Sequence, residues 1–420
     1  MPLRRFGRTP TLGPMFGRLL LVTLAIAALS GCVRRVDERT TVTWWQFWTD
    51  PRAAPVINEL VATFEAQYPA IDIEVVDLTW AEGHQKIVVA FATGSAPDVL
   101  ELGSDWVAEF SHKGLLLDLT AEADGQHDLY MKWEPVTYQG RIYGYPWLLG
   151  TRVLFYNKDL MYRAGLDINA PPKTWDEWVT QARAIHDLDD DVFGFAANAF
   201  ERHRLYKKYL PFFWSRGGVV FAEDGGGCLI DSDAGIQALE YYTQLCDVGL
   251  IETQRELDLA FQRGRIGFTI SGDWLLGQLR RNPDAPNYGV TVLPAPEGGK
   301  SISFAGGEYL VVPKQSPHAQ EAQLFIDFLL RPENNLKLCR AIGFTPANRA
   351  AAGNSYFTDD RYLNAFRAQL VTARPTPVHP RWVEVEELIE RAVENAMYKA
   401  MTPDSALHRA RAQIDELLAK

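Results

Sequence analysis

The chain has 420 residues, of which 47% are apolar and 23% charged, and its formal net charge is −11. That length is more than one small core organises and favours two lobes. The acidic balance argues against nucleic acid as a partner, and the apolar fraction is ordinary for a globular protein.

The chain opens with a basic segment, Arg4, Arg5, Arg8 and Arg18, and an apolar run over residues 19–29. That run is too short to span a membrane as a mature helix but suits the central region of a signal peptide. Leu29-Ser30-Gly31-Cys32 follows, a lipobox pattern. Cleavage is expected before Cys32, whose thiol would carry lipid. Loss of residues 1–31 takes the net charge to −15. Residues 32–40 read as a polar tether.

The first strand is expected at 41–45, with Trp45 near its end and Trp48 and Asp50 in the loop after it. Residues 55–67 have a helical apolar period, and 71–76 alternate as a second strand. This β-loop-α-β order predicts a parallel sheet, with ligands at the carboxyl ends of its strands. A helix over 80–91 leads to a strand at 99–102, followed by Gly103-Ser104-Asp105-Trp106. Residues 138–144 carry a hairpin signal with glycine at the turn. Residues 152–156, rich in β-branched and aromatic side chains, predict a buried strand. Asn157-Lys158-Asp159 starts a short helix that Gly165 stops. Thr174 and Glu177 have capping-box spacing for the next helix.

A strand at 193–196 precedes a polar loop and an aromatic helix over 205–214. A glycine-rich hairpin, including Gly225-Gly226-Gly227, leads to a helix over 233–248. Gly264 separates another helix from a strand at 266–268, and Ser271-Gly272-Asp273-Trp274 opens the helix after it. Residues 290–296 read as an extended crossover. Gly306-Gly307-Glu308 precede a strand at 309–312, with glycines that allow close backbone approach. A helix over 319–330 is expected to break at Pro332, and two helices close the chain. Cys228 and Cys246, 18 positions apart, are able to pair in an oxidising compartment; three unpaired buried thiols are the alternative. No Cys/His spacing fits a zinc site.

Several runs carry a resemblance: Tyr156-Asn157-Lys158-Asp159-Leu160, Pro171-Pro172-Lys173-Thr174-Trp175, Gly114-Leu115-Leu116-Leu117-Asp118-Leu119 and residues 257–268. From about residue 42 to its end the chain resembles the extracellular solute-binding proteins of bacterial ABC importers, in the maltose-binding-protein-like, sugar-binding lipoprotein family. The resemblance implies an α/β, two-lobed periplasmic-binding-protein fold. The expected lobes are 41–149 plus 296–345, and 150–295 plus 346–420. Hinge strands are expected near 148–151, 293–296 and 343–346.

An aromatic face suits the C–H groups of a sugar ring, and acids, amides or Arg satisfy its hydroxyls. The candidate ligand residues are Trp45, Trp48, Asp105, Trp106, Trp147, Trp214, Asp273, Trp274, Gly307, Glu308, Arg349 and Trp382. Asp105, Trp214, Trp274 and Trp382 are placed by the resemblance. Trp147 is the foremost candidate in its own loop. Where the maltose-binding member of the family has an acid after its Tyr-Pro, this chain has Gly150, so maltose itself is not implied.

The implied role is a lipid-anchored receptor in the cell envelope. It would capture a mono- or oligosaccharide, act as a monomer, need no cofactor or metal, and serve permease and ATPase subunits. The alternatives are a polyol or glycerol-phosphate-type ligand, with Arg152, Arg216 and Arg349 in view, or a glycosidase using Glu101, Asp105 and Glu308. No nucleophile elbow, P-loop or dinucleotide fingerprint is present.

Overall fold

The computed structural model of the chain describes residues 39–222 and 227–420. The signal segment, Cys32, most of the tether and Gly225-Gly226 lie outside the described residues. In chain order, β1 (Thr40–Gln46), β2 (Ile71–Asp77) and β3 (Val99–Gly103) come first. β4 (Thr137–Tyr138) and β5 (Arg141–Ile142) make a hairpin. β6 (Tyr145–Thr151) and β7 (Val153–Asn157) are separated by Arg152 alone. β8 (Phe193–Asn198), β9 (Gly249–Glu252), β10 (Ile266–Ser271), β11 (Tyr288–Thr291), β12 (Ala305–Val311) and β13 (Thr345–Pro346) follow.

Two principal sheets result. One has the order β13-β6-β12-β3-β1-β2, the other β11-β7-β10-β8-β9. The chain therefore changes sheets at Arg152 and again between β11 and β12. Each lobe is a sheet covered by helices. β1 and β3 run parallel, as do β8 and β10. β12 lies antiparallel between β3 and β6, and β7 lies antiparallel to β10 and β11. The sheets are thus mixed rather than purely parallel, because β6, β7 and β12 thread between the lobes instead of completing right-handed crossovers.

Local chemistry accounts for many of the elements. β6 and β7 are buried along their whole length, which explains their unbroken apolar character. Asn157 Oδ1 accepts from the N–H groups of Asp159 and Leu160 and so starts the helix Lys158–Arg163. Gly165 ends that segment at a φ of 70°. Thr174 and Glu177 form the expected capping box. The β4–β5 turn uses positive φ at Gln139 and Gly140, the geometry a two-residue hairpin needs.

Several expectations need correction. The second helix starts at Gly83, not at residue 80; Trp80 precedes it and stacks on Phe47 at 4.2 Å. Pro332 does not merely break a helix. It occupies the first turn of another, Pro332–Ile342, where its missing N–H costs nothing. The helix Arg361–Thr372, capped by Asp360, was also not anticipated. Thr40 belongs to β1 rather than to the tether.

Cys228, Cys246 and Cys339 are free buried thiols, so the first two do not form the possible disulfide. Cys228 precedes the helix Asp233–Cys246 and Cys246 is its last residue.

Candidate functional site

The loops after β1 and β3 are tied to each other before anything else reaches them. Glu101 on β3 accepts the Phe47 N–H through Oε2 at 2.9 Å. Gln46 Oε1 accepts the Trp48 N–H at 2.5 Å. These bonds fix the loop so that Phe47 packs edge-on to the Trp106 indole at 5.8 Å. Trp48 packs in turn against Phe344 at 4.7 Å.

Asp105 faces the other lobe. Its Oδ2 accepts from Tyr206 Oη at 2.9 Å and pairs with Lys207 Nζ at 3.1 Å. Tyr206 and Lys207 open the helix Tyr206–Ser215. Glu390 anchors that start by accepting three backbone N–H groups, those of His203, Arg204 and Tyr206. His203 Nδ1 is paired with buried Glu386. Burial is the strongest influence on the Asp105 carboxyl and opposes its charge. The Lys207 ammonium and the Tyr206 hydroxyl together outweigh it, and the pKa falls below the usual value.

A second group of acids sits beside the first. Glu308 on β12 pairs in register with Gly103, and Asp273 opens the helix Asp273–Arg281. Burial pushes the Glu308 carboxyl up to about 8, with the nearby Asp273 adding to the effect. Burial likewise raises Asp273 to about 8, against the pull of Arg152. Glu101 is also raised well above its ordinary value, by burial and then by Glu308. Arg152 is the cation between them. Its guanidinium lies 4.4 Å over the Trp274 ring and 5.6 Å from Phe304. Lys207 Nζ lies 5.4 Å from the same Phe304 ring. The acids, cations and aromatic rings thus form one continuous surface where the lobes meet.

Glu308 Oε2, Asp273 Oδ1 and the Trp106 indole nitrogen are buried beside this surface without a hydrogen-bond partner, whereas the Trp48 indole faces Glu101 and the Trp382 indole faces Tyr206. Each such group costs roughly 1–3 kcal/mol if left unpaired. Together they offer acceptors and donors in the mixture that a polyhydroxylated molecule can satisfy. Among the described residues no group of three or more metal-ligating side chains is arranged to hold an ion.

The structure divides the sequence candidates. Trp48, Asp105, Asp273, Trp274 and Glu308 fall on this surface, while Trp106 and Trp382 are core residues, each 1% exposed, that back it through Phe47 and Tyr206. Trp274 lies there with its face covered by Arg152 and its Nε1 donating to Asp258 at 2.9 Å. Trp382 meets Tyr206 edge-on at 5.6 Å.

Trp147 is not at the site. It is 1% exposed and packs edge-on to Trp44 at 5.8 Å in the core of the six-stranded lobe. The strand continues through it, and alternation along β6 sends its ring inward. Trp214 is likewise in the other core, 4% exposed on the inner side of its helix. Trp45 is half-buried against the first core, on the face of β1 opposite Trp44. Gly307 has a structural reason to be glycine: a Cβ there would lie 2.4 Å from the Leu148 carbonyl oxygen on β6. Close strand packing, not ligand approach, excludes a side chain. Arg349 is exposed at the start of a short helix, its N–H bonded to the Leu129 carbonyl.

Sequence reasoning missed Tyr206, Lys207, Phe304 and the Glu386–Glu390 brace, and it weighed Arg152 only as a phosphate ligand. The one available signal was Tyr206-Lys207-Lys208 opening a helix directly after a strand-end loop.

Comparisons with known proteins agree with this architecture. The model of the bacterial extracellular solute-binding protein family matches residues 50–336. A binding protein of Brucella abortus (strain 2308) is 27% identical over 412 residues, covering 96% of this chain and 98% of its own. The galactooligosaccharide-binding protein of Bacillus subtilis (strain 168) is 27% identical over 380 residues, 86% of each chain. An ABC transporter solute-binding protein from Thermotoga lettingae TMO, solved with α-D-tagatose bound, matches with a TM-score of 0.81 at 26% identity. That match covers 90% of this chain and 100% of the other.

Proposed function

The chain belongs to the bacterial extracellular solute-binding proteins, and we propose that it is the carbohydrate receptor of an ABC importer. The observation that carries this is the cluster of buried Asp105, Asp273 and Glu308 with Lys207, Arg152 and aromatic rings where the lobes meet, in which Glu308 Oε2, Asp273 Oδ1 and the Trp106 indole N–H lack a partner. Sugar hydroxyls both donate and accept, so one saccharide can satisfy both kinds. The rings of Trp48 and Phe304 supply apolar surface for its C–H groups. Asp105 and Glu308 accept from hydroxyls, and Asp273 does so beside Arg152.

One lobe is built on the six-stranded sheet and the other on the five-stranded sheet, and they are joined at Arg152, between β11 and β12, and after β13. Ligand binding holds them closed, with Tyr206 and Lys207 reaching Asp105 across the gap. Cys32 carries the lipid that keeps the mature chain at the envelope membrane, facing outward from the cytoplasm. No described helix is long and apolar enough to cross a membrane, which is compatible with a lipid anchor. The protein performs no chemistry on its ligand and passes it to permease subunits powered by ATPases.

Calorimetric titration of the mature protein with neutral mono- and oligosaccharides tests this. Saturable binding with the saccharide recovered intact is expected. If no saccharide binds or raises the melting temperature, the receptor reading fails; if the saccharide is cleaved, the protein is a glycosidase.

A further inference from the structure

A cavity of about 150 Å³ opens beside Asp273, and four of its lining residues are Arg52, Arg280, Arg281 and Arg340. They come from separate parts of the chain. Arg52 follows the loop after β1, Arg280 and Arg281 end the helix Asp273–Arg281, and Arg340 lies on the helix Pro332–Ile342. Basic residues in a last helical turn complement the helix dipole, but that role does not require two further arginines to face them.

The acids close to these arginines are fewer and already engaged. Asp50 takes Nε and Nη2 of Arg52 at 2.8 and 2.7 Å, and Asp360 takes Arg280. Arg340 donates to the Asn354 side chain at 2.9 Å and lies over the Tyr356 ring at 5.0 Å. The Arg281 side chain has no hydrogen bond or close ion pair among the described residues, and the acid that attracts it, Asp50, is the one already held by Arg52. Even so, it converges with Arg52: a Cβ placed on Gly277 would lie 3.0 Å from Arg52 Nη1 and 3.4 Å from Arg281 Nη1. Two guanidinium groups therefore approach one backbone point, where like charges repel. Asp273, the one acid in the lining, is buried with Oδ1 unpartnered. In its protonated form it donates to an acceptor instead of adding negative charge.

We propose that this cavity is an anion site that takes a compact oxyanion bearing phosphate, sulfate or carboxylate chemistry. The planar forks of Arg52 and Arg281 suit bidentate contact with such a group. The anion is either free in solution or a substituent on the saccharide in the adjoining cleft; the second form rests on the carbohydrate reading above. Arg52 follows a strand of one sheet and Arg281 a strand of the other, so an anion between them also favours the closed arrangement.

The test titrates the mature protein and its R281Q variant by calorimetry with three probes. These are inorganic phosphate, a neutral oligosaccharide, and the same oligosaccharide bearing a uronic acid. Arg281 is exposed at a helix end, and matching thermal melts check that R281Q is folded. A site for free anion gives saturable phosphate binding that weakens at least tenfold in R281Q. A site for a substituent makes the acidic saccharide bind at least fivefold tighter than the neutral one, an advantage that R281Q abolishes. The proposal is overturned if phosphate and the acidic saccharide each bind both proteins equally, or bind neither. The neutral saccharide reports separately on the carbohydrate reading: its failure alongside Arg281-dependent phosphate binding sinks that reading and leaves the anion site standing.

Discussion

Asp105 and Glu308 lie at the same edge of one sheet, since Glu308 pairs with Gly103 two residues before Asp105. Both are buried, yet they titrate in opposite directions. Asp105 meets a lysine and a tyrosine from the other lobe and stays charged below its usual pKa. Glu308 meets Asp273 and Glu101, with Arg152 as the shared cation, and is pushed up to about 8. Burial acts on both acids; the partner decides the charge. One edge of the site is therefore an ion pair that spans the lobes, and the other is a set of acids that are largely protonated at neutral pH.

The largest way to break this contrast is Asp105→Asn. It removes the charge that Lys207 faces and should cost about 2–3 kcal/mol of stability, read by urea unfolding. Saccharide affinity should fall at least tenfold in the same protein. Unchanged stability and affinity would mean that the pair spanning the lobes carries no weight.

The pH dependence separates the two sides next. Glu308 and Asp273 have folded pKa values raised to about 8, above the ordinary 4.5 and 3.8. The folded chain therefore holds these protons more tightly than the unfolded chain does. Their contribution is fully present below about pH 4 and is lost as pH rises toward 8, with a slope on the order of 1 kcal/mol per pH unit for each group. Asp105 acts in the opposite window: its contribution is present above its unfolded pKa, near the ordinary 3.8, and is lost as pH falls through its lower folded value. Melting temperatures taken from pH 5 to 9 should fall with rising pH. The double variant Glu308→Gln, Asp273→Asn should flatten the curve; an unaltered slope would show that these acids are not its source.

Tyr206→Phe deletes only the donor and leaves Lys207 in place, so it should cost about 1 kcal/mol. Chemical denaturation measures this, and a loss as large as that of Asp105→Asn would assign the contact to the hydroxyl rather than to the charge. The smallest effect belongs to Glu308→Gln at pH 6, where a neutral amide replaces a carboxyl that is already protonated. Saccharide affinity should change less than about threefold, since the two groups form comparable neutral hydrogen bonds. A much larger loss would require Glu308 to be ionised when ligand binds.

The frame of the molecule was legible in the chain, because much of it is written in local signals. The Asn157 cap, the Thr174–Glu177 capping box, the Gln139-Gly140 turn and the buried run of β7 are each specified within a few residues. The site was legible only in part. Asp105 was readable because the family resemblance places an acid there, in the loop after a strand end. Its partner Tyr206 lies 101 residues away, and no local period encodes that separation. Trp147 shows the opposite failure. It stands in a plausible ligand loop by sequence, but β6 runs on through that loop and points the indole into the core.

By itself, the sequence determined a mixed α/β chain of this family, with its helix starts, its turns and an acid at the end of β3. Only the tertiary structure decided which aromatic rings face the interlobe surface and which fill the cores. It also decided that Asp105 is a paired charge while Glu308 and Asp273 hold protons. Capping and periodicity act over neighbouring residues, whereas burial and ion pairing depend on what the fold brings together from distant parts of the chain.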